Sequence, residues 1–274
     1  MTTQAEVNTN RKVSSPRARV PQQILLMTQR NLLTIFRTPE ALIPPIAISV
    51  FFLLIYESTL GEAASFVPGL SGNSYLGFIL PLSIVSSALA GAGIASQNLV
   101  RDLESGYFDK LLLTPISRAS LILGPILAGA LILAIQTGIV IGVGLLMGLE
   151  PVTGVTGLLA VIGIALLLGV GFAGFTVSAA LGSGSAAVTQ SAGFIFFPLT
   201  FLTASFVPLE LLDGWLKTAA QLNPITYVLG AMRDTLNVGW VSSSLWQGVL
   251  ACMILAIAMY ALAVFALRVR TRRS

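Results

Sequence analysis

Histidine is absent from this 274-residue chain, cysteine occurs once, at Cys252, and lysine only at Lys12, Lys110 and Lys217. Without histidine there is no histidine-dependent acid–base chemistry, no imidazole metal ligand and no Ser–His nucleophile pair. One cysteine excludes an internal disulfide and a cysteine-built metal site. None of the lysines follows a glycine, so there is no phosphate-binding G-x-x-x-x-G-K-[ST] loop for ATP. Charge is scarce too: 9% of residues are charged, whereas soluble domains carry about 25%.

What fills the space is apolar. Hydrophobic residues make up 55% of the chain and the mean hydropathy is +0.89. The 26 glycines suit helices whose backbones approach closely in lipid. Six apolar stretches are long enough to cross a hydrocarbon core, which takes about 20 helical residues. They lie at 41–60, 76–98, 119–148, 154–181, 186–207 and 245–267, with no charge away from their ends. The class expected is an all-α membrane protein with six transmembrane helices.

The net charge of +4 could serve nucleic acid, but its distribution favours a membrane, and no nucleic-acid partner is expected. Arg11, Lys12, Arg17, Arg19, Arg30 and Arg37 precede the first span, Arg101, Lys110 and Arg118 follow the second, and Arg268, Arg270, Arg272 and Arg273 follow the sixth. With six spans these regions share one side, and they hold 13 of the 15 basic residues. The positive-inside rule makes that side, and both termini, cytoplasmic at the plasma (inner) membrane. Trp215, Trp240 and Trp246 fall on the other side or its rim, where an aromatic belt sits.

Residues 1–20 are polar and lack the apolar core of a signal peptide, so they are read as a disordered cytoplasmic tail; 269–274 form a short basic tail. Residues 21–38 are an amphipathic helix rather than a span. At 100° per residue Ile24, Leu25, Leu26, Leu32, Leu33, Ile35 and Phe36 share a broad arc, opposite Arg30, Asn31, Thr34 and Arg37, with Met27 among them. Such an elbow helix on the inner leaflet, contacting membrane lipids, either only anchors the chain or also frames a partner's docking surface. Pro39 and the Pro44-Pro45 pair are expected to break the chain direction into the first span. In the outer loop 208–244, Pro208, Gly214 and Pro224 interrupt the apolar run, Asn223 can cap a helix starting at Pro224, and Arg233 follows. Two short re-entrant helices fit this loop.

The span interiors offer only neutral polar groups, among them Gln136, Gln190 and Thr203. Each either makes an interhelical hydrogen bond or lines the path of an amphiphilic substrate. Carriers driven by protons or ions bury charged groups at mid-membrane, so energy for transport has to arrive from outside the chain. Gly138-x-x-x-Gly142 and Gly144-x-x-x-Gly148 form close-packing patterns, within the chain or at a homodimer seam. The run 182–185, GSGS, lacks a base to activate its serines and is read as a tight turn.

Against this background the loop 99–118 stands out. Its residues 101–118, RDLESGYFDKLLLTPISR, gather Arg101, Asp102, Glu104, Asp109, Lys110 and Arg118. A short helix from Glu104 to Lys110, then Leu111-Leu112-Leu113, suits insertion into a groove of a cytoplasmic protein. Charges would steer; the apolar ridge with Tyr107 or Phe108 would grip. Pro115 is expected to end any helix and set the entry into the third span.

Asp102-x-x-x-Gly106 followed by Leu111-Leu112, Thr114-Pro115-Ile116-Ser117-Arg118 and Leu123-Gly124 resembles the cytoplasmic-loop signature of type-2 ABC exporter permeases, in the daunorubicin-resistance-like branch. Leu222-Asn223-Pro224-Ile225-Thr226-Tyr227 with Ala231-Met232-Arg233 resembles that family's segment before the last span. Tyr107 departs from the pattern, where many members carry Thr. The resemblance covers 21–268 as one transmembrane domain. It implies a permease that dimerises and pairs with two copies of a separate ATPase, which binds the ATP and magnesium. The chain itself would be a non-catalytic transport subunit without a cofactor. The loop would be the coupling helix, with Glu104, Gly106, Lys110, Pro115 and Arg118 as its functional positions. The cargo would be a hydrophobic or amphipathic molecule, drug-like or lipid, moved outward. The alternative is a secondary transporter or channel that needs no ATPase.

Overall fold

The computed structural model describes residues 19–60, 75–193, 195–203 and 209–273. The expectations for the tail 1–18 and for Pro208 lie outside the described residues. The chain runs α1 (Val20–Phe36), α2 (Pro39–Leu60), α3 (Tyr75–Glu104), α4 (Tyr107–Leu112), α5 (Arg118–Leu146), α6 (Gly154–Ser183), α7 (Ala186–Gly193), α8 (Phe196–Phe201), α9 (Gly214–Leu222), α10 (Pro224–Asn237) and α11 (Ser242–Arg273). A 3-10 turn at Leu209–Leu211 precedes α9. No strand occurs among the described residues.

Four helices are long and apolar enough to cross a bilayer: Pro39–Thr59, Arg118–Leu146, Gly154–Ser183 and Ser242–Arg272. Tyr75–Ala88 and Ala186–Phe201 are shorter apolar stretches. One expectation needs correction in part. The chain does change direction at Arg37 and Thr38, just before Pro39, which starts α2, but Pro44 and Pro45 do not break it: α2 runs through both. Pro39 stands at the helix start, where an amide lacks a partner anyway. Within the fifth apolar stretch the described residues form α7 and α8, on either side of position 194.

The bundle is centred on α3, α5 and α6. Half of the apolar window of α5 is buried, and 56% of that of α6, against 17% for α2 and 11% for α11. Glycines set these contacts. A Cβ built on Gly169 would lie 2.8 Å from the Ala130 Cα, bringing α6 onto α5. One on Gly171 would meet Leu255 at 2.8 Å, and one on Gly174 would meet Met259 at 3.1 Å, which brings α11 onto the other side of α6. On α5 the repeat divides: Gly144 packs on Leu80, whereas Gly138 and Gly142 meet nothing within 4 Å. The GSGS run is the turn expected of it. Gly184 is left-handed at φ 63°, and Ser183 Oγ accepts from the Ser185 N–H at 3.2 Å.

The helices of the 208–244 loop differ sharply. α10 buries Ile225, Val228, Leu229, Ala231, Met232, Arg233 and Leu236. Asn223 caps it as expected, accepting from the Ile225 N–H at 3.0 Å, with Pro224 in the first turn. α9 buries only Ala220 and belongs to a small separate cluster with Leu209, Leu212 and Leu216.

Candidate functional site: the charged segment between α3 and α5

α3 carries the chain to Glu104, and Ser105 and Gly106 donate back to the carbonyls of Arg101 and Leu103 at 3.0 and 3.2 Å. Gly106 then turns left-handed, φ 68°, a conformation costly for most side chains. The short helix α4 therefore begins at Tyr107, three residues later than expected, and Glu104 belongs to α3. It stops at Leu112, and the Leu113 N–H bonds the carbonyls of Asp109 and Lys110. Pro115 does not end it; it stands in the following turn. Ser117 caps α5, its hydroxyl accepting from the Ser120 N–H at 3.1 Å.

The segment has two faces. Phe108 and Leu111 point inward, packed with Leu99, Val100, Leu103, Leu121 and Ile122. Phe108, 2% exposed, holds the segment down and is not a grip for a partner. Arg101, Glu104, Tyr107, Asp109, Lys110, Leu113, Pro115 and Arg118 are exposed. Leu113 is 88% exposed, an apolar knob that sequence reasoning merged into a three-leucine ridge.

α1 braces the segment from behind. Arg30 donates a two-pronged hydrogen bond to Asp102, Nη1 to Oδ2 at 2.7 Å and Nη2 to Oδ1 at 2.6 Å. Its guanidinium lies 4.7 Å from the centre of the Tyr107 ring. The hydrogen bond it donates to Asp102 holds the guanidinium pKa above its ordinary value, against the effect of burial. Seven residues earlier on α1, Gln23 Oε1 accepts from the Ser117 N–H at 2.8 Å and the Ser120 hydroxyl at 3.4 Å. Between them Met27 lies against Gly124 of α5, where a Cβ would meet the Met27 Cβ at 2.6 Å. Gln23, Met27 and Arg30 thus line one face of α1, the face the sequence marks as its polar arc. The buried Thr28 and Asn31 satisfy themselves on carbonyls four residues back, at 2.9 and 2.8 Å. Leu25, Leu26, Leu33 and Phe36 point away from the protein, at least half exposed. Arg37 is exposed at the end of α1.

The other expected residues lie elsewhere. Gln136 is buried between α5 and α3, where its Oε1 accepts from the Ser87 hydroxyl at 3.1 Å, beside Gly91. Gln190 is exposed on α7. Thr203 is buried and donates to the Thr200 carbonyl at 3.0 Å. These three occupy different surroundings. On α10, Arg233 Nε donates to the Phe78 carbonyl at 2.8 Å, and its guanidinium sits 3.6 Å from the centre of the Phe78 ring. Asn223 Nδ2 donates to the carbonyls of Leu199 and Leu202. No group of three His, Cys, Asp or Glu side chains is placed to hold a metal ion among the described residues.

The chain is similar in sequence to several transport permeases. It is 26% identical over 211 residues, 77% of this chain and 75% of the relative, to the "Probable doxorubicin resistance ABC transporter permease protein DrrC" of Mycobacterium tuberculosis. It is 25% identical over 236 residues, 82% of this chain and 79% of the relative, to the "Putative transport permease ycf38" of Cyanophora paradoxa. A third relative, the "Daunorubicin resistance ABC transporter permease protein DrrB1" of Streptomyces coeruleorubidus, is 26% identical over 204 residues, 73% of this chain and 69% of its own length. The family model described as "ABC-2 type transporter" matches residues 22–237, from the bracing face of α1 to the last residue of α10. On that match the chain belongs to the ABC-2 type transporter family.

Proposed function

We propose that this permease works with a second copy of itself and with two copies of a separate ATPase that carry the ATP and magnesium. In this reading it moves a hydrophobic or amphipathic molecule, drug-like or lipid, outward across the plasma membrane. The ATPase engages the outward face of α4. Glu104, Lys110 and Arg118 steer it, Leu113 and Tyr107 fill its groove, and Gly106 and Pro115 fix the segment's shape. The six crossings are α2, α3, α5, α6, the α7–α8 pair and α11, with α1 as an elbow helix and α10 re-entrant. The basic asymmetry of the chain supports a cytoplasmic side for α4 and both termini.

The single observation that carries this reading is the two-faced α4 segment. It is clamped to α1 and the bundle on one side, and it presents charge and one bare leucine on the other. A loop that only joined two spans would have no use for such bracing. The test reverses Glu104 or Arg118 in vesicles holding both permease and ATPase. The expected result is loss of cargo-stimulated ATP hydrolysis and transport, with membrane insertion intact. Unchanged coupling in both variants would remove the docking role from this segment. Transport by the permease alone would favour a secondary carrier or channel instead.

A further inference from the structure

α9 shows two apolar sides where a helix in an aqueous loop needs at most one. Its inner side packs Leu216 and Ala220 on Leu209 and Leu212. Its outer side carries Trp215, 74% exposed, and Leu222, 80% exposed, seven residues apart and so on one stripe. Leu211, also exposed, lies on the approach to the helix. The stripe is fixed in direction. The Tyr227 hydroxyl donates to the Gln221 carbonyl at 2.7 Å, and the Asn223 N–H bonds the Ala220 carbonyl, so α9 is tied to the buried α10. Single exposed apolar residues are common on proteins, but a tryptophan and a leucine held together on one short helix call for a covering surface.

The position of α10 says what covers it. Trp246 heads the outward stripe of α11, followed by Leu250, Met253, Ile254 and Ile257, all exposed. Tryptophan is enriched at the headgroup level and leucine and isoleucine below it, so Trp246 marks the membrane boundary. α10 meets α11 two residues from that mark, at Gly248, where a Cβ would lie 2.4 Å from the Ala231 Cβ. Trp240, 56% exposed, stands in the same connection. We infer that α9 is an interfacial helix that rests in the outer leaflet of the bilayer, with Trp215 and Leu222 inserted among the headgroups. α9 therefore parts company with α10: the first lies on the membrane, and the second is packed within the protein. Through Asn223 the membrane surface holds the start of α10.

The test uses the full chain, reconstituted alone in vesicles of phosphatidylcholine and phosphatidylglycerol. Trp240→Phe and Trp246→Phe together leave Trp215 as the one indole. Its emission is read with lipids brominated just below the headgroup, with lipids brominated near the chain end, and with aqueous iodide. The expected result is quenching about twofold stronger by the shallow bromine than by the deep one, with weak quenching by iodide. Strong quenching by iodide would place α9 in water and overturn the inference. Stronger quenching by the deep bromine would make α9 re-entrant, and quenching by none of the three would mean that protein, such as a second copy, covers the stripe; both outcomes overturn it. If the double variant does not fold, the difference between the parent and Trp215→Phe gives the same reading.

Discussion

Arg30 does its work by shape more than by charge. Its pair with Asp102 has side chains 40% and 16% exposed, so it is partly screened and contributes about 1 kcal/mol to stability. What it fixes is the direction of Tyr107 and the end of α3. Arg30→Lys keeps the charge and loses the fork. The expected outcome is a permease that inserts and folds normally but stimulates its ATPase several-fold less, with partial recovery in the Arg30→Asp/Asp102→Arg exchange. Cargo-stimulated hydrolysis measures it, and unchanged stimulation in Arg30→Lys would show that the fork plays no part. Gly106 invites a second comparison. A Cβ there meets nothing within 4 Å, so its left-handed φ is the whole objection to a side chain. Gly106→Ala costs about 1–2 kcal/mol of local strain and Gly106→Asn less, and coupling efficiency should fall in that order.

At the scale of helices, Gly124 decides whether α1 can lie on α5. A Cβ there would stand 3.2 Å from the Met27 backbone as well as closer to its side chain, and the backbone cannot step aside. Gly124→Val pushes α1 off its seat at a cost of about 1–3 kcal/mol. A cysteine pair at Gln23 and Ser117 that crosslinks in the parent should then fail to do so. The α3–α5 seam predicts the opposite kind of result. Gln136 Nε2 is buried without a partner, and the Ser87 hydroxyl can turn to its own backbone when the amide is removed. Gln136→Met should change thermal stability by less than about 1 kcal/mol and leave transport intact. A shift in cargo preference in that variant would return Gln136 to the substrate path.

The elements were legible in the sequence to different depths, for physical reasons. The apolar runs announce α2, α5, α6 and α11 because length and hydropathy suffice for them. The polar arc of α1 was visible, but not what it faces: pairing Arg30 with Asp102 spans 72 residues, and no periodicity reports that. In the charged segment the residue types were readable and the division into two faces was not. Phe108 and Leu113 look alike in composition, and only the left turn at Gly106 sends one inward and the other out.

For the molecule as a whole, orientation is the decisive measurement, and the chain is well suited to it. Its one cysteine, Cys252, is fully buried, so Leu113→Cys introduces a single reactive thiol at the tip of α4. An impermeant maleimide should label it in inside-out vesicles and not in intact cells; the reverse pattern would sink the docking scheme. The two ends of the bundle are also secured differently. At the α4 end, side chains of α1 hold a turn. At the other end, the Val152 N–H and the Thr153 hydroxyl bond the last carbonyls of α10, at 2.8 and 2.6 Å.

α3 joins those two ends without interruption, and its geometry would set the gain of the proposed coupling. From Glu104 back to Pro81 the helix is about 35 Å of unbroken rod, so a swing of about 5° at the docking end carries the far end through about 3 Å. Pro81 leaves the Gly77 carbonyl without its usual amide, which makes that point the softest place on the shaft. In the proposed docking scheme a small stroke delivered at α4 would be returned as a bend next to Phe78 and Arg233, toward the other end of α3.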